Sequence, residues 1–559
     1  MATNGDKEYD GIIIGAGHNG MILQGYLLKA GLSVAVVERH LEVGGGLDAH
    51  ENPRAHGFWH NIHSQNHRAV PDLPWFKDLE LASYGQEYIR PEWAVGMLFR
   101  DKTCLLWHND DVEQTCASIA RFSEKDAKTF RDFHHGFKPV AQLILAPETY
   151  SPPMEADKKR ALLENTEVGK AYYQYADRTI KDVVEEVFES SQTKAMVSYL
   201  FLLRGNELDE PGQGYIVPAA CALGISSYIS RGTSHRMAHT LNQMVIKNGG
   251  EVFEGQAAVE ILIENGRAAG VRLADGRVLK ARHFVASTVN PQQTFLGLIK
   301  GEHIDSNLQE KARNFKYSET TPIMTVHLAL NERPKWAAAE YDPHILDAWL
   351  MVMGVDSTED IYSLIDDCRA GKIPSRRQLL GGTPTIFDPS QAPEGKHVSW
   401  FWQIAPYLLQ EGPEHWDKII DQICEEQIEL LREFAPNLDD NNIIDWFGQS
   451  PLDIERHFPN MQHGDWMCGE LNRNQFLDKR PFPECSQYRT PVEGLYIAGA
   501  SCHPGGNITG APAYNAAGVI VKDLDANLWW KAPDLEKIWE NLGETEKTAA
   551  GGSYSPGDD

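Results

Sequence analysis

Apolar residues along this chain fall into two kinds of run, and their alternation predicts an α/β protein. Ile12 to Ile14 and Val34 to Val37 are short unbroken runs, the pattern of parallel strands buried on both faces. Between them Met21, Ile22, Tyr26 and Leu27 recur at helical spacing, and Gly31 closes the helix. The pattern returns at mid-chain, where Met237, Leu241, Met244 and Val245 form a helical stripe. Gly232-Thr233-Ser234 is expected to cap that helix and Gly249-Gly250 to end it. Three short strands should follow, separated by the hairpin-type turns Asn265-Gly266 and Asp275-Gly276, and then a further apolar strand over His283 to Ala286. Near the end, Leu495 to Ala498 reads as a buried strand, followed by a glycine-rich turn and a small-residue helix starting near Thr509.

The turns between these elements carry the chemistry. Gly15, Gly17 and Gly20, with Ala16, His18 and Asn19 between them, fit the G-x-G-x-x-G fingerprint. The first glycine makes a tight turn, the second lets backbone meet a pyrophosphate, and the third lets helix pack on strand. The second strand ends in Glu38, eighteen residues beyond Gly20. A carboxylate there accepts hydrogen bonds from ribose hydroxyls, whereas a purely structural glycine turn would not need it. At the other end, the start of the small-residue helix offers free N–H groups to an electron-rich ligand. Gly510, Ala511, Ala513, Ala516 and Ala517 should let that ligand approach closely. Paired in one chain, the two turns predict a flavoenzyme. The fold expected is a discontinuous Rossmann-like FAD-binding domain, a parallel sheet plus β-meander, built from 8–71, 214–290 and 491–530. An α+β substrate domain is expected over 72–213 and 291–490, and the Gly/Ser/Glu/Lys-rich tail 543–559 should be disordered.

Composition narrows the partners. The 559 residues carry 52 Lys+Arg against 79 Asp+Glu, a net charge of −27 spread along the chain. That argues against nucleic acid and against electrostatic docking on anionic lipid. The 8 cysteines form no C-x-x-C, which points to reduced thiols in a cytoplasmic setting. The first residues read as no signal peptide and no run approaches the length of a membrane span, though a peripheral membrane contact stays open.

The chain resembles the phytoene-desaturase-like branch of the flavin amine-oxidase superfamily, and within it the pyridine nucleotide-disulfide oxidoreductase domain-containing protein 2 type. The resemblance rests on Ile14-Gly-Ala-Gly-His-Asn-Gly-Met, Glu38-Arg-His-Leu-Glu-Val-Gly-Gly-Gly, Phe387-Asp-Pro-Ser-Gln-Ala-Pro-Glu-Gly-Lys-His and Gly499-Ala-Ser-Cys-His-Pro-Gly-Gly-Asn-Ile-Thr-Gly-Ala-Pro. It implies non-covalent FAD, with its pyrophosphate at Gly15 to Gly20 and its ribose at Glu38, next to Arg39. It also implies that Gly44, Gly45 and Gly46 lie along the diphosphate–ribityl stretch and backbone at Val259 meets the adenine. Ala500, Ser501, Ile508, Thr509 and Gly510 would meet the ribityl chain and pyrimidine edge. The family register would also put His60 to Ser64 near the reactive face of the flavin. Two departures, Ala500-Ser-Cys for the usual Gly-Thr and the polar His56 to Ser64 segment, bear on the substrate rather than the cofactor.

Residues for chemistry are fewer. His60 and His63 match no standard zinc spacing, so no metal is expected. Trp400 and Trp402, flanking Phe401 on a β-like run, are candidates to line a tunnel for a greasy substrate, with His60 a further substrate contact. Hydride transfer from an alkane-like or allylic C–H to flavin N5 needs little acid–base help. His503, His63 and Tyr514 are the candidate bases for a second proton. Cys502 and His503, beside the flavin turn, would be the points of any covalent attachment. The expected activity is dehydrogenation (desaturation) of a hydrophobic isoprenoid or alicyclic substrate. Alternatives are a saturase, an isomerase or an amine or alcohol oxidase on the same fold, or a non-enzymatic lipid-binding protein of the GDP-dissociation-inhibitor type. Amine oxidation is disfavoured because the usual Arg-x-Gly-Gly-Arg segment is absent at 44–48. Oligomeric state is not legible.

Overall fold

The structure, a computed structural model, describes residues 7–320 and 322–542. The expected disordered tail, 543–559, lies outside the described residues. Two seven-stranded sheets organise the molecule. In the first, strand Glu8–Ile14 runs parallel between Val34–Val37 and Val278–Ser287, with Ile12 paired to Ala35 on one side and Val285 on the other. Ile12 and Ile13 are fully buried, as a parallel strand covered on both faces requires. Helix His18–Lys29 packs against helices His235–Lys247 and Ala511–Asp523. The small residues Ala513, Ala516 and Ala517 are buried in that core, where they permit close helix contact.

Two local expectations are corrected. The third meander strand and the apolar strand at 283–286 are one strand, Val278–Ser287. Its first part pairs antiparallel with Arg267–Leu273, and its last part runs parallel to both Glu8–Ile14 and Leu495–Ile497. Exposed Lys280, Arg282 and His283 interrupt the apolar pattern; Arg282 and His283 turn outward to pair with Asp10. Ser234 does not cap the helix that follows it. Its hydroxyl is drawn away, donating to the Ser64 carbonyl and lying 2.9 Å from His67 Nε2.

The second sheet orders Ile443–Gln449, Ile323–Leu330, His397–Ile404, Leu379–Gly382, Ala348–Met353, Trp93–Leu98 and Cys104–His108. Side chains alternate across a strand, so Trp400 and Trp402 share one face of His397–Ile404 and Phe401 takes the other. Trp400 and Trp402 pack with helices Ser191–Leu202 and Ile216–Leu223, and Phe401 with helix Trp416–Phe434.

Candidate active site

A cavity of about 610 Å³ opens at the carboxyl ends of the first sheet's strands, where Ile14, Val37 and Glu38 border it, and reaches Leu350, Leu380, Trp400 and Trp402 of the second sheet. Ligands of open α/β sheets sit at that edge. Gly15 turns the chain there with φ +97°. A Cβ on Gly20 would lie 1.9 Å from the Gly15 carbonyl oxygen, so the helix seats on the strand only with glycine. Gly17 is the opposite case: a Cβ there would meet no atom within 4 Å, because the residue faces the cavity. Gly17 also begins helix His18–Lys29 without a side-chain cap. His18 and Asn19 line the cavity beside it.

Glu38 is 7% exposed, and both its oxygens are held by backbone. Ala16 N–H donates to Oε2 at 2.8 Å and His40 N–H to Oε1 at 3.0 Å. Lone pairs remain on each oxygen for a ligand. Gly44 N–H donates to the Ala16 carbonyl at 2.8 Å, fastening the second glycine cluster to the first. Ala16, Gly20 and Gly44 therefore stand behind the wall, and Arg39, Gly45, Gly46 and Val259 form part of it.

The closing turn divides in the same way. Ala500 and Ile508 line the cavity; Ser501, Thr509 and Gly510 do not. Ser501 Oγ donates to the Cys468 carbonyl at 2.8 Å. The Thr509 carbonyl accepts from Trp75 Nε1 at 2.6 Å and from the Tyr150 hydroxyl at 2.9 Å. Gly510 has φ +61°, and a Cβ there would sit 2.5 Å from Trp75 Nε1. Trp75, rather than a ligand, requires this glycine.

Several expected residues are not brought together. His503 Nε2 is bonded to the Glu148 carbonyl at 2.9 Å, and the Tyr514 hydroxyl donates to the Lys531 carbonyl at 3.2 Å. Both point into packed core, so neither is placed as a base. Cys502 also lies off the cavity wall, and burial pushes its thiol up to about 12. His60 is packed edge-on against His327 and Phe447, behind the wall instead of on it. His63 does line the cavity; its Nε2 has no partner and burial pushes the imidazole down to about 3, which keeps it neutral. Off the cavity wall, His50 and His457 both donate to Asp48 Oδ2, at 2.9 and 3.2 Å.

Several of the unpartnered buried polar atoms belong to residues that line the cavity. His18 Nε2, Asn19 Oδ1, His40 Nε2, His63 Nε2, Ser64 Oγ, Gln65 Oε1, Asn66 Oδ1 and Asn460 Oδ1 have no partner among the described residues, and all belong to cavity-lining residues. Each such group costs about 1–3 kcal/mol if left unsatisfied, so this ring suits a large polar ligand.

Sequence reasoning missed Arg480, which sets the closing turn in place. Fully buried, it donates to the carbonyls of Met467, Cys468, Gly469, Glu470, Gln475, Ala500 and Cys502 at 3.1–3.5 Å. Asp465 lies beneath it, accepting the amides of Ser318, Met467 and Gly469; burial pushes its carboxyl up to about 6. Nothing in local sequence marks this arginine, because its partners are main-chain atoms of two separate loops.

The family described as flavin containing amine oxidoreductase matches residues 25–517. A limonene dehydrogenase subunit from Castellaniella defragrans is 32% identical over 542 residues, covering 94% of this chain and 97% of that protein. Pyridine nucleotide-disulfide oxidoreductase domain-containing protein 2 of Rattus norvegicus is 26% identical, covering 92% of this chain and 94% of that one. An oxidoreductase of Methanosarcina mazei shares the fold with a TM-score of 0.57 at 17% identity, over 91% of this chain and 99% of its own. The family-level expectation is met, and the non-enzymatic reading is set aside. The chain belongs to the flavin containing amine oxidoreductase family and is an oxidoreductase enzyme.

Proposed function

We propose that this enzyme is an FAD-dependent dehydrogenase that introduces a C=C bond into a hydrophobic isoprenoid or alicyclic substrate, with FAD held non-covalently. One observation carries the reading: a single cavity joins Gly17 and Glu38 at one end to Trp400 and Trp402 at the other, ringed by unpartnered polar atoms. The name of the Castellaniella relative, a limonene dehydrogenase, supports the substrate class.

In this reading the uncapped first turn of His18–Lys29, with Gly15 and Gly17, holds the pyrophosphate. Glu38 accepts from the ribose hydroxyls, and Val259 borders the adenine. Gly45 and Gly46 flank the diphosphate–ribityl stretch, and Ala500 and Ile508 the ribityl chain and pyrimidine edge. Segments 8–71, 214–290 and 491–530 are the cofactor domain, and 72–213 with 291–490 the substrate domain. When bound, FAD supplies a hydride acceptor at N5. Trp400, Trp402, Leu350 and Leu380 exclude water and orient the apolar body of the substrate. His63, a cavity-lining residue whose Nε2 has no partner, is the base in this reading.

All of the cysteines are free and buried, which fits a reducing cytoplasm. No helix among the described residues is long and apolar enough to cross a membrane. A peripheral membrane contact would deliver a greasy substrate to the cavity.

Denaturing the purified protein should release FAD into the supernatant. With an artificial electron acceptor present, limonene or an acyclic isoprenoid should yield a product lacking two hydrogens. Retention of flavin by the precipitate contradicts non-covalent binding, and oxidation of amines alone contradicts the substrate class.

A further inference from the structure

Two arginines stand on the cavity wall with no ion pair among the described residues. Arg68 and Arg204 both border the cavity, next to Leu200, Leu203 and Ile225. Arg68 Nε donates to the Ile225 carbonyl at 3.0 Å and Nη2 to the Gly224 carbonyl at 3.1 Å, leaving Nη1. Among the described residues, no carboxylate, carbonyl or hydroxyl accepts from the Arg204 guanidinium. Burial, then the neighbouring Arg68 charge, pushes Arg204 well below its ordinary range, and burial lowers Arg68 to about 10.

The fully buried cations among the described residues are answered. Lys159 meets Glu148 at 2.7 Å, and Arg480 is wrapped in carbonyls. The chain has acids to spare, with a net charge of −27, yet among the described residues none pairs with either arginine. Two like charges on an otherwise apolar stretch of wall disfavour each other, and a ligand of opposite sign relieves that.

The cofactor's phosphates do not fill this role in the reading above, because they sit at the glycine turn. Ile14 and Ala16 of that turn belong to the first sheet's core. Leu200, Leu203 and Ile225 pack instead with Trp400 and Trp402 under the second sheet. The arginine pair therefore lies at the end assigned to substrate.

We propose that the substrate is a carboxylic acid with an apolar body, its carboxylate held by the Arg204 fork with Arg68 adding charge. A guanidinium fork matches a planar carboxylate through two parallel hydrogen bonds. Only Arg204 has its whole fork free, since Arg68 has committed two nitrogens to carbonyls, and one free fork suits one carboxylate. This inference rests on the dehydrogenase reading for treating the ligand as substrate, and the test separates the two.

The holoenzyme is titrated with perillate, its methyl ester and perillyl phosphate, following quenching of tryptophan fluorescence and change in the flavin spectrum. Perillate should bind roughly tenfold tighter or more than the ester. Arg204→Gln should abolish that preference and Arg204→Lys should keep part of it, with flavin content and far-UV circular dichroism reporting that both variants fold. Equal binding of acid and ester by the unaltered enzyme overturns the proposal, as does a preference that survives in Arg204→Gln. Tighter binding of the phosphate overturns the carboxylate assignment. Flavin bleaching by limonene with no preference for acid removes this inference and leaves the dehydrogenase reading standing. A preference for acid with no bleaching by any ligand keeps the anion site and removes the dehydrogenase reading.

Discussion

Ala16 donates its amide to Glu38 Oε2 across 2.8 Å, so the glycine turn and the end of the second strand are held as one unit. The same carboxylate accepts the His40 amide through Oε1. It shapes the turn on one side and presents lone pairs to the cavity on the other.

Glu38→Ala should therefore weaken FAD binding twice over. Hydrogen bonds to a charged group are worth about 1.5–3 kcal/mol each. Titration of the apoprotein should show an affinity loss of roughly tenfold or more, with Glu38→Gln intermediate. Unchanged affinity in Glu38→Ala would detach this residue from the cofactor.

Two glycines should respond in opposite ways. Gly17→Ala adds a methyl group to open cavity, so apoprotein stability should change by no more than about 0.5 kcal/mol while FAD affinity drops. Gly510→Ala places a Cβ against Trp75 at positive φ, so it should destabilise by at least about 1–2 kcal/mol. Gly301, whose Cβ would find only ordinary contact with Gln309, serves as the control. Urea denaturation of the three apoproteins reads the difference; equal stability of Gly510→Ala and Gly301→Ala would contradict the Trp75 contact.

Arg480→Lys should disorganise the closing turn, because an ammonium offers fewer and differently directed donors than the guanidinium. Each buried carbonyl left without a donor costs about 1–3 kcal/mol, so a stability loss of at least about 3 kcal/mol is expected. A melting temperature equal to wild type would show that the turn holds itself.

Acid should destabilise the fold through His67. Its Nδ1 lies 2.8 Å from the Tyr88 hydroxyl and its Nε2 2.9 Å from Ser234 Oγ. Ser234 already spends its proton on the Ser64 carbonyl, so Nε2 carries the hydrogen and Nδ1 does not. Burial lowers this histidine from 6.5 to about 3. The unfolded chain thus binds more protons between those values, and the stabilisation present above pH 6.5 is lost as pH falls toward 3. The loss approaches about 1.4 kcal/mol per pH unit. His67→Gln should narrow its stability gap to wild type over this range, and a gap independent of pH would contradict the assignment.

What the chain reveals in advance follows from distance along it. Gly15, Gly17, Gly20 and Glu38 lie within one βαβ unit, where strand ends and glycines set positions locally, so the turn was legible. The tryptophan face was legible from the two-residue period of Trp400 and Trp402. His503 and Tyr514 were misjudged because adjacency to a glycine turn does not fix which way a side chain points. The carbonyl of Glu148 and the packing of Tyr26 and Tyr150 decide that from far away. Arg480, Trp75 and Arg204 were invisible for related reasons: Arg480 is fixed by carbonyls of two loops with no local pattern, Trp75 by a residue hundreds of positions away, and Arg204 by the lack of a partner.

The most direct test mixes the purified holoenzyme anaerobically with limonene, an acyclic isoprenoid, apolar carboxylic acids and a panel of amines, and follows the flavin absorbance. Bleaching by an apolar terpenoid or apolar acid, and by no amine, is the result expected of a dehydrogenase acting on C–H bonds. Bleaching by amines alone, or an oxidised flavin unchanged by every apolar compound, would contradict it.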